Sequence, residues 1–368
     1  MGNGADALVR PGQVADAIVD ESSGKHEVLA AAVKTSREDT SLAIQYSLLA
    51  GAQATALERR WWPYLIAWLP MMILSAWLAV KVWWYRLVIR PADKERWLLG
   101  PEEATVWFDR AHPYGKRVRN GVTTSVALDV IYSIGSAICQ PRTWGERLMR
   151  FWLDQPDGQA VRNRLRITYR EFLAELERLW NSGKGHSSEA PIRILSLACG
   201  SAQAIIEGSA EFRRRHPGVH LRLKLVDLNE PSLRRAAFLA QNRGVADMVV
   251  VTDNLKKFVR AVRVTGEQWD VVEMVGFLDY RPRRSLLKLC GEIRELLVGG
   301  GLFITAHIHP SLWSFEVRWV INWPLLIRRW PGTFRRLLRQ AGFPADRTRF
   351  ILEPNRIYTV ALCRRATS

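Results

Sequence analysis

The sequence predicts an α/β fold: a mostly parallel sheet covered by helices on both faces, closed by an antiparallel hairpin and preceded by a helical membrane-anchoring region. Three observations carry this. From residue 192 onward, short apolar runs alternate with helical patterns, as in a parallel sheet buried on both sides. Near the C-terminus, two β-rich runs flank Pro354-Asn355. Finally, residues 61–80 contain no charge and sit between arginines. Composition agrees with a folded chain, since 48% of the 368 residues are hydrophobic, which excludes a disordered or collagenous protein. Cys139, Cys199, Cys290 and Cys363 lie far apart with no C-x-x-C spacing. That excludes a disulfide scaffold and a thiolate zinc site, and it fits a reducing compartment.

Residues 1–58 carry four basic and eight acidic residues, with few aromatics. They read as an acidic, mobile leader that turns helical from about Ser41. Met1–Arg10 lacks the basic and apolar regions of a signal peptide. Residues 59–90 follow as the expected membrane anchor. The twenty uncharged residues match the ~20 needed to cross the hydrocarbon layer, and the pairs Trp61-Trp62 and Trp83-Trp84 stand where aromatic belts form. Pro70 would kink a spanning helix or mark a re-entrant one. The basic surplus on the C-terminal side places the rest of the chain in the cytoplasm.

Residues 91–190 read as a helical connecting or cap region. The stretch 122–138 is apolar but short and contains Asp129, so a buried helix near a pocket is expected there rather than a second span. Residues 160–180 read as an amphipathic helix, with Val161, Leu165, Phe172, Leu173 and Leu176 on one side and Arg/Glu pairs on the other. The polar stretch 181–191 is a linker. The domain 191–368 then offers strands at 192–198, 221–227, 248–251, 270–275 and 301–307, helices at 203–215, 231–242, 254–262 and 283–297, and a hairpin of 347–353 with 356–363.

After the first strand comes Leu-Ala-Cys-Gly-Ser-Ala, in which Gly200 lets a ligand approach the backbone at a helix start. Asp227 ends the second strand, where a carboxylate can accept both hydroxyls of a ribose. The G-x-G-x-x-G of a dinucleotide site is missing, since Ala202 and Ile205 occupy its later positions.

On ILSLACGSAQA, LVDLNE, VVTDN, WDVVEMVGFLDY, LLVGGGLFITAH and the terminal hairpin, residues 192–363 resemble the class I S-adenosylmethionine-dependent methyltransferases. The resemblance implies a Rossmann-like fold, S-adenosylmethionine as cofactor and methyl transfer as activity. It places Gly200 and Ser201 by the methionine portion, Asp227 on the ribose, Asp253 and Asn254 at the adenine edge, and Glu273 and Gly276 near the sulfonium. The family's G-x-G-x-G aligns with Ala198, Gly200 and Ala202, and Ser196 stands where an acid is common. Residues 159–165, 276–280 and 319–328 are similar to a bacterial branch that includes fatty-acid methyl ester biosynthesis enzymes. That likeness implies that Arg162 or Arg164 reaches the cofactor or substrate site.

A carboxylate acceptor needs no base and a hydroxyl does; the candidates near the strand ends are Tyr280, His307 and His309, with Asp279 beside them. No His/Asp/Glu cluster suggests a metal. The formal charge of +17 invites an RNA methyltransferase reading. Against it, the basic residues cluster with Trp-rich apolar runs, at 59–90 and again at 311–368, as a membrane interface selects. The expectation is a membrane-associated enzyme acting on a lipophilic or amphipathic small molecule by carboxylate or hydroxyl O-methylation. Residues 312–330 are expected to add a second lipid contact. A non-catalytic membrane-bound scaffold retaining the fold is the remaining alternative. Oligomeric state and the identity of the acceptor are not encoded in any motif.

Overall fold

The computed structural model describes residues 54–62, 124–137, 143–245, 248–311 and 326–367, with isolated positions at 49 and within 65–80, 114–121 and 314–323. Three helices precede the sheet: α1 (Ser125–Ala137), α2 (Trp144–Leu153) and α3 (Pro156–Asn181). The alternation expected from residue 192 then follows as β1 (Ile192–Leu197), α4 (Gln203–Arg215), β2 (Leu221–Asp227), α5 (Glu230–Asn242), β3 (Met248–Thr252), α6 (Leu255–Thr265), β4 (Trp269–Met274), α7 (Arg283–Leu296) and β5 (Leu297–Ile308). A helix not singled out in the sequence, α8 (Pro331–Gln340), leads to the hairpin β6 (Thr348–Leu352) and β7 (Tyr358–Arg364).

The seven strands lie in the order β3-β2-β1-β4-β5-β7-β6. β1 to β5 pair in parallel, and β7 pairs antiparallel with both β5 and β6. The order reverses between β1 and β4, which opens a crevice at the C-terminal ends of the central strands. Strand alternation divides the core. Ile194, Leu223, Leu225, Val271 and Ile304 pack on the α3–α5 side, whereas Leu195, Leu197, Val272 and Phe303 pack on the α6–α8 side. The helix starts are locally encoded: Asn229 caps α5 by accepting from Ser232 N, Asn254 caps α6 by accepting from Lys256 N, and Thr143 with Glu146 forms a capping box on α2.

Helix α3 departs from expectation in two ways. It begins at Pro156, where the ring fixes a first-turn conformation. Its Arg/Glu face is also not solvated, because Arg162, Arg164, Arg166, Glu171 and Glu175 are all buried. The physical reason is pairing across the fold. Glu58 holds Arg162 at 2.6 Å and Arg166 at 2.5 Å, and Glu171 and Glu175 pair with Arg349 and Arg364 of the hairpin. The Glu58 backbone exchanges hydrogen bonds with the Asn163 side chain, and Arg60 pairs with Asp154 at 2.8 Å. Residues 58–60 thus form a strap along α3.

Most of the expected anchor at 59–90, the leader before it and much of 312–330 lie outside the described residues. Among the described residues, no helix is long and apolar enough to cross a membrane. Trp62, Leu65, Ile66, Leu69, Ile73 and Trp77 are helical and expose their side chains, at the spacing of one helix face.

Burial raises the proton affinity of Glu58, but Arg162 and Arg166 outweigh it and hold the carboxyl at about 2. A carboxyl depressed from 4.5 stabilises the fold fully above that value, and the stabilisation is lost as pH falls toward 2. Glu58→Gln, which leaves two buried guanidiniums short of a partner, should cost about 3 kcal/mol at neutral pH, with the difference from the parent protein narrowing in acid. Urea denaturation at neutral and acid pH checks this.

Candidate active site

The crevice holds a cavity enclosing about 440 Å³, walled by the C-terminal ends of β1, β2 and β4 and roofed by α1 and α3. At its head lies the turn after β1. Ala198, Gly200 and Ala202 all take left-handed conformations, with φ of 49°, 54° and 49°. Both alanines therefore adopt the backbone that the aligned glycines would supply, at a cost of about 1 kcal/mol each. Gly200 N donates to Asp227 Oδ2 at 2.8 Å, and Asn229 N donates to Oδ1 at 2.8 Å. Asp227 is thus fixed beside the turn, and each of its oxygens, accepting one backbone N–H, keeps further acceptor capacity, while the α5 cap is Asn229. No side chain caps α4, whose first turn opens on the same space.

The sequence-selected residues Gly200, Ser201, Asp227, Asp253, Asn254, Glu273, Gly276 and Tyr280 all line this cavity. Ser201 Oγ donates to Asp129 of α1 at 3.2 Å, and Asp129 also pairs with Arg235 at 3.2 Å. The carboxylate that broke the apolar run of α1 fastens that helix over the turn. Ser125 and Ser232 hydroxyls add a second tie at 2.9 Å. Asn254 has its capping role as well, and Asp253 Oδ1 accepts from Asn254 N at 2.7 Å. Ser196 donates to Glu273 across the β1–β4 ladder. Burial pushes the Glu273 carboxyl up to about 7, against the opposing pull of Ser196, the Val275 amide and Arg164.

His307 and His309 are not in the cavity wall. His307 is fully buried behind it, with Nδ1 2.8 Å from Asp279 Oδ1 and Nε2 3.1 Å from Arg329 Nη1. His309 is buried between the Arg329 carbonyl, at 2.6 Å, and the Thr359 hydroxyl, at 2.5 Å, and burial lowers its proton affinity. Strand alternation explains the misreading: β5 runs to Ile308, so both rings project into the sheet's packing with β7 and the segment at 329. Tyr280 does face the cavity. Its hydroxyl accepts from Trp323 Nε1 at 2.7 Å, and burial pushes its pKa to about 12, so the phenol keeps its proton.

Of the two arginines raised by the sequence, Arg162 turns to the strap and Arg164 to the cavity, as their separation of about 200° around the helix requires. Tyr132, Tyr358 and Asp157 also line the cavity. Nothing in their spacing marked them, because α1, α3 and β7 meet only in three dimensions. An apolar part of the wall is formed by Met149, Trp152, Leu153, Val161 and Leu326, and Gln155, Lys256, Asp279 and Arg281 line the cavity as well. Among the described residues, no group of His, Cys, Asp and Glu is placed to hold a metal ion.

No family model matches the chain and no curated protein matches it. Among solved structures it is similar to a possible exported protein of Bordetella parapertussis, at 15% identity over 73% of this chain and 99% of that one, with a TM-score of 0.48. It is also similar to the magnesium protoporphyrin IX methyltransferase of Synechocystis with bound SAM, at 13% identity over 69% and 97% of the two chains and a TM-score of 0.42. An O-methyltransferase family protein of Burkholderia thailandensis is similar at 18% identity and a TM-score of 0.38, over 59% of this chain and 64% of that one.

The strained turn gives a direct expectation. Ala198→Gly with Ala202→Gly should raise stability in the absence of ligand by about 1–2 kcal/mol, less the entropy glycine adds to the unfolded chain. A lower melting temperature for the double variant would contradict the strain.

Proposed function

We propose that the protein is an S-adenosylmethionine-dependent methyltransferase that acts on an oxygen of an amphipathic small molecule and works against a lipid surface. The observation that carries this reading is the left-handed turn at Ala198–Ala202, fixed by its Gly200 N–H on Asp227, at the head of an apolar cavity. The residues fit the cofactor. The single close-approach turn suits a ligand without a pyrophosphate. Asp227 keeps acceptor capacity for two hydroxyls, and Asp253 and Asn254 at the end of β3 suit the adenine edge. Glu273 is a buried carboxyl with no basic partner in hydrogen-bond reach among the described residues, which suits the cationic end. When bound, the cofactor supplies a methyl carbon activated by its sulfonium. The protein's part is alignment: Asp227 and the turn hold one reactant, α1 closes over it through Asp129, and the apolar wall excludes water around the other.

Two further features support an amphipathic acceptor at a membrane. The cavity beyond Gly276 is lined by Met149, Trp152, Val161 and Leu326, which match an apolar body. Outside it, the exposed stripe from Trp62 to Trp77 begins next to Arg59 and Arg60, the pairing of apolar face and basic flank that anionic lipid surfaces bind.

Asp227→Ala should weaken S-adenosylhomocysteine binding by about tenfold or more, given ~1.5–3 kcal/mol for hydrogen bonds to a charged group. Calorimetry checks this, and undiminished affinity would remove Asp227 from the site. For the surface, full-length protein should co-sediment with anionic liposomes. Leu65→Glu with Leu69→Glu should abolish that while leaving S-adenosylhomocysteine affinity unchanged. Absence of co-sedimentation by the parent protein would refute the lipid-surface part alone.

A further inference from the structure

We propose that the far end of the cavity receives an ammonium group of the acceptor, bound by Asp157 and Gln155 at the start of α3. The step rests on the transferase reading above and names its substrate class, an amphipathic amine methylated at an oxygen elsewhere in the molecule. Both residues line the cavity. Asp157 Oδ1 and Oδ2 and Gln155 Oε1 are buried, and none of the three has a hydrogen-bond partner among the described residues. Gln155 Nε2 donates to the Phe151 carbonyl at 3.1 Å, which leaves the amide oxygen as the unpaired atom. The other carboxyls of the cavity are each engaged: Asp227 by two backbone amides, Asp253 by Asn254 N, Glu273 by Ser196 and Asp279 by Ile308 N. Asp154, just before α3, holds Arg60 and Arg162. Asp157 has no such partner among the described residues.

Two charges act on Asp157 without a salt bridge. Arg328, whose Nη1 donates to the His309 carbonyl at 3.1 Å, favours the ionised form, and Glu353 opposes it. Burial prevails and pushes the carboxyl up to about 6, so at neutral pH it is mostly ionised and enclosed with no counter-ion in contact. A buried charge in that state is costly unless an ion of opposite sign joins it, and the cavity is where such an ion can enter. A primary ammonium has three donors for the three acceptor oxygens. A hydroxyl has one, and it would leave the charge in place.

Position separates this group from the reacting centre. The cavity follows α3 from Asp157 past Val161 and Arg164 to Thr168. Arg164 abuts the end of β4, where its Nη1 lies 3.2 Å from where a Cβ on Gly276 would stand. Further along, Phe172 abuts α4, 2.7 Å from where a Cβ on Gly208 would stand. The turn after β1 leads into α4, so it belongs to that later part of α3. Asp157 precedes Arg164 by about two helix turns, roughly 10 Å of rise. The ammonium therefore sits away from the donor's methyl, and its nitrogen is not the atom methylated.

The test uses purified full-length protein saturated with S-adenosylhomocysteine and titrated at neutral pH with matched probes, octylamine against octanol and 4-phenylbutylamine against 4-phenylbutanol. Such amines, like a lysine side chain, are protonated there. At least one amine should bind about tenfold tighter than its alcohol. Asp157→Asn, which keeps the shape and removes the charge, should erase that preference, and Asp157→Ser should do the same. Both variants should keep S-adenosylhomocysteine affinity within about twofold of the parent protein, which also reports that they fold. An amine preference absent in the parent protein, or intact in Asp157→Asn, overturns the proposal. Loss of S-adenosylhomocysteine affinity in Asp157→Asn, with the parent melting temperature retained, overturns it too, assigning the carboxyl to the donor's own amino group. Failure of the parent protein to bind S-adenosylhomocysteine refutes the transferase reading instead.

Discussion

Helix α3 carries charge on nearly every side and buries most of it, leaving Arg170, Glu177 and Arg178 toward solvent, and the geometry of the site follows from how the buried charges are settled. Glu58 takes Arg162 and Arg166 on one face, and the hairpin takes Glu171 and Glu175 through Arg349 and Arg364. Buried pairs of this kind add little net stability, yet breaking one leaves an uncompensated charge. Their effect is therefore on register. Rotation of α3 by one residue, about 100°, would break several pairs together and carry Arg164 out of the cavity. The strap at residues 58–60 and the hairpin at the sheet edge, both distant in sequence, jointly fix a side chain at the end of β4.

The turn after β1 is settled by a different force. Its three left-handed residues include two alanines, and the conformation persists because the surrounding contacts overdetermine it. Asp227 accepts from Gly200 N on one oxygen and from Asn229 N on the other, tying the ends of β1 and β2 together. Asp129 fastens α1 onto the same turn through Ser201, and Ser125 ties α1 to the start of α5 through Ser232. A substitution from Gly to Ala in such a motif changes its energy more than its shape.

What was legible in the sequence was whatever rests on local pattern. The strands from 192 to 307, the helices between them and the terminal hairpin came from periodicity, Gly200 and Asp227 came from their places at strand ends, and Glu273 and Gly276 came from the resemblance to the methyltransferase family. Solvation was not legible: an Arg/Glu-rich face on α3 reads as exposed unless Glu58, Arg349 and Arg364 are known to cover it. Orientation past a strand end was also not legible. His307 and His309 sit beside the crevice in sequence, but β5 extends to Ile308 and turns both rings into the packing around Arg329 and Thr359. Asp129 was visible only as an anomaly, a charge in an apolar helix, and its partner Ser201 lies 72 positions away.

The cavity carries charges of both signs. Asp157, Asp227, Asp253, Glu273 and Asp279 line it together with Arg164, Lys256 and Arg281. Asp279 is engaged by Ile308 N at 2.9 Å and His307 at 2.8 Å. Gly276 keeps that space open beside α3: with φ of 93° it takes a conformation few other residues tolerate, and a Cβ there would stand 3.2 Å from Arg164 Nη1, so a side chain at this position would press the guanidinium away from the end of β4.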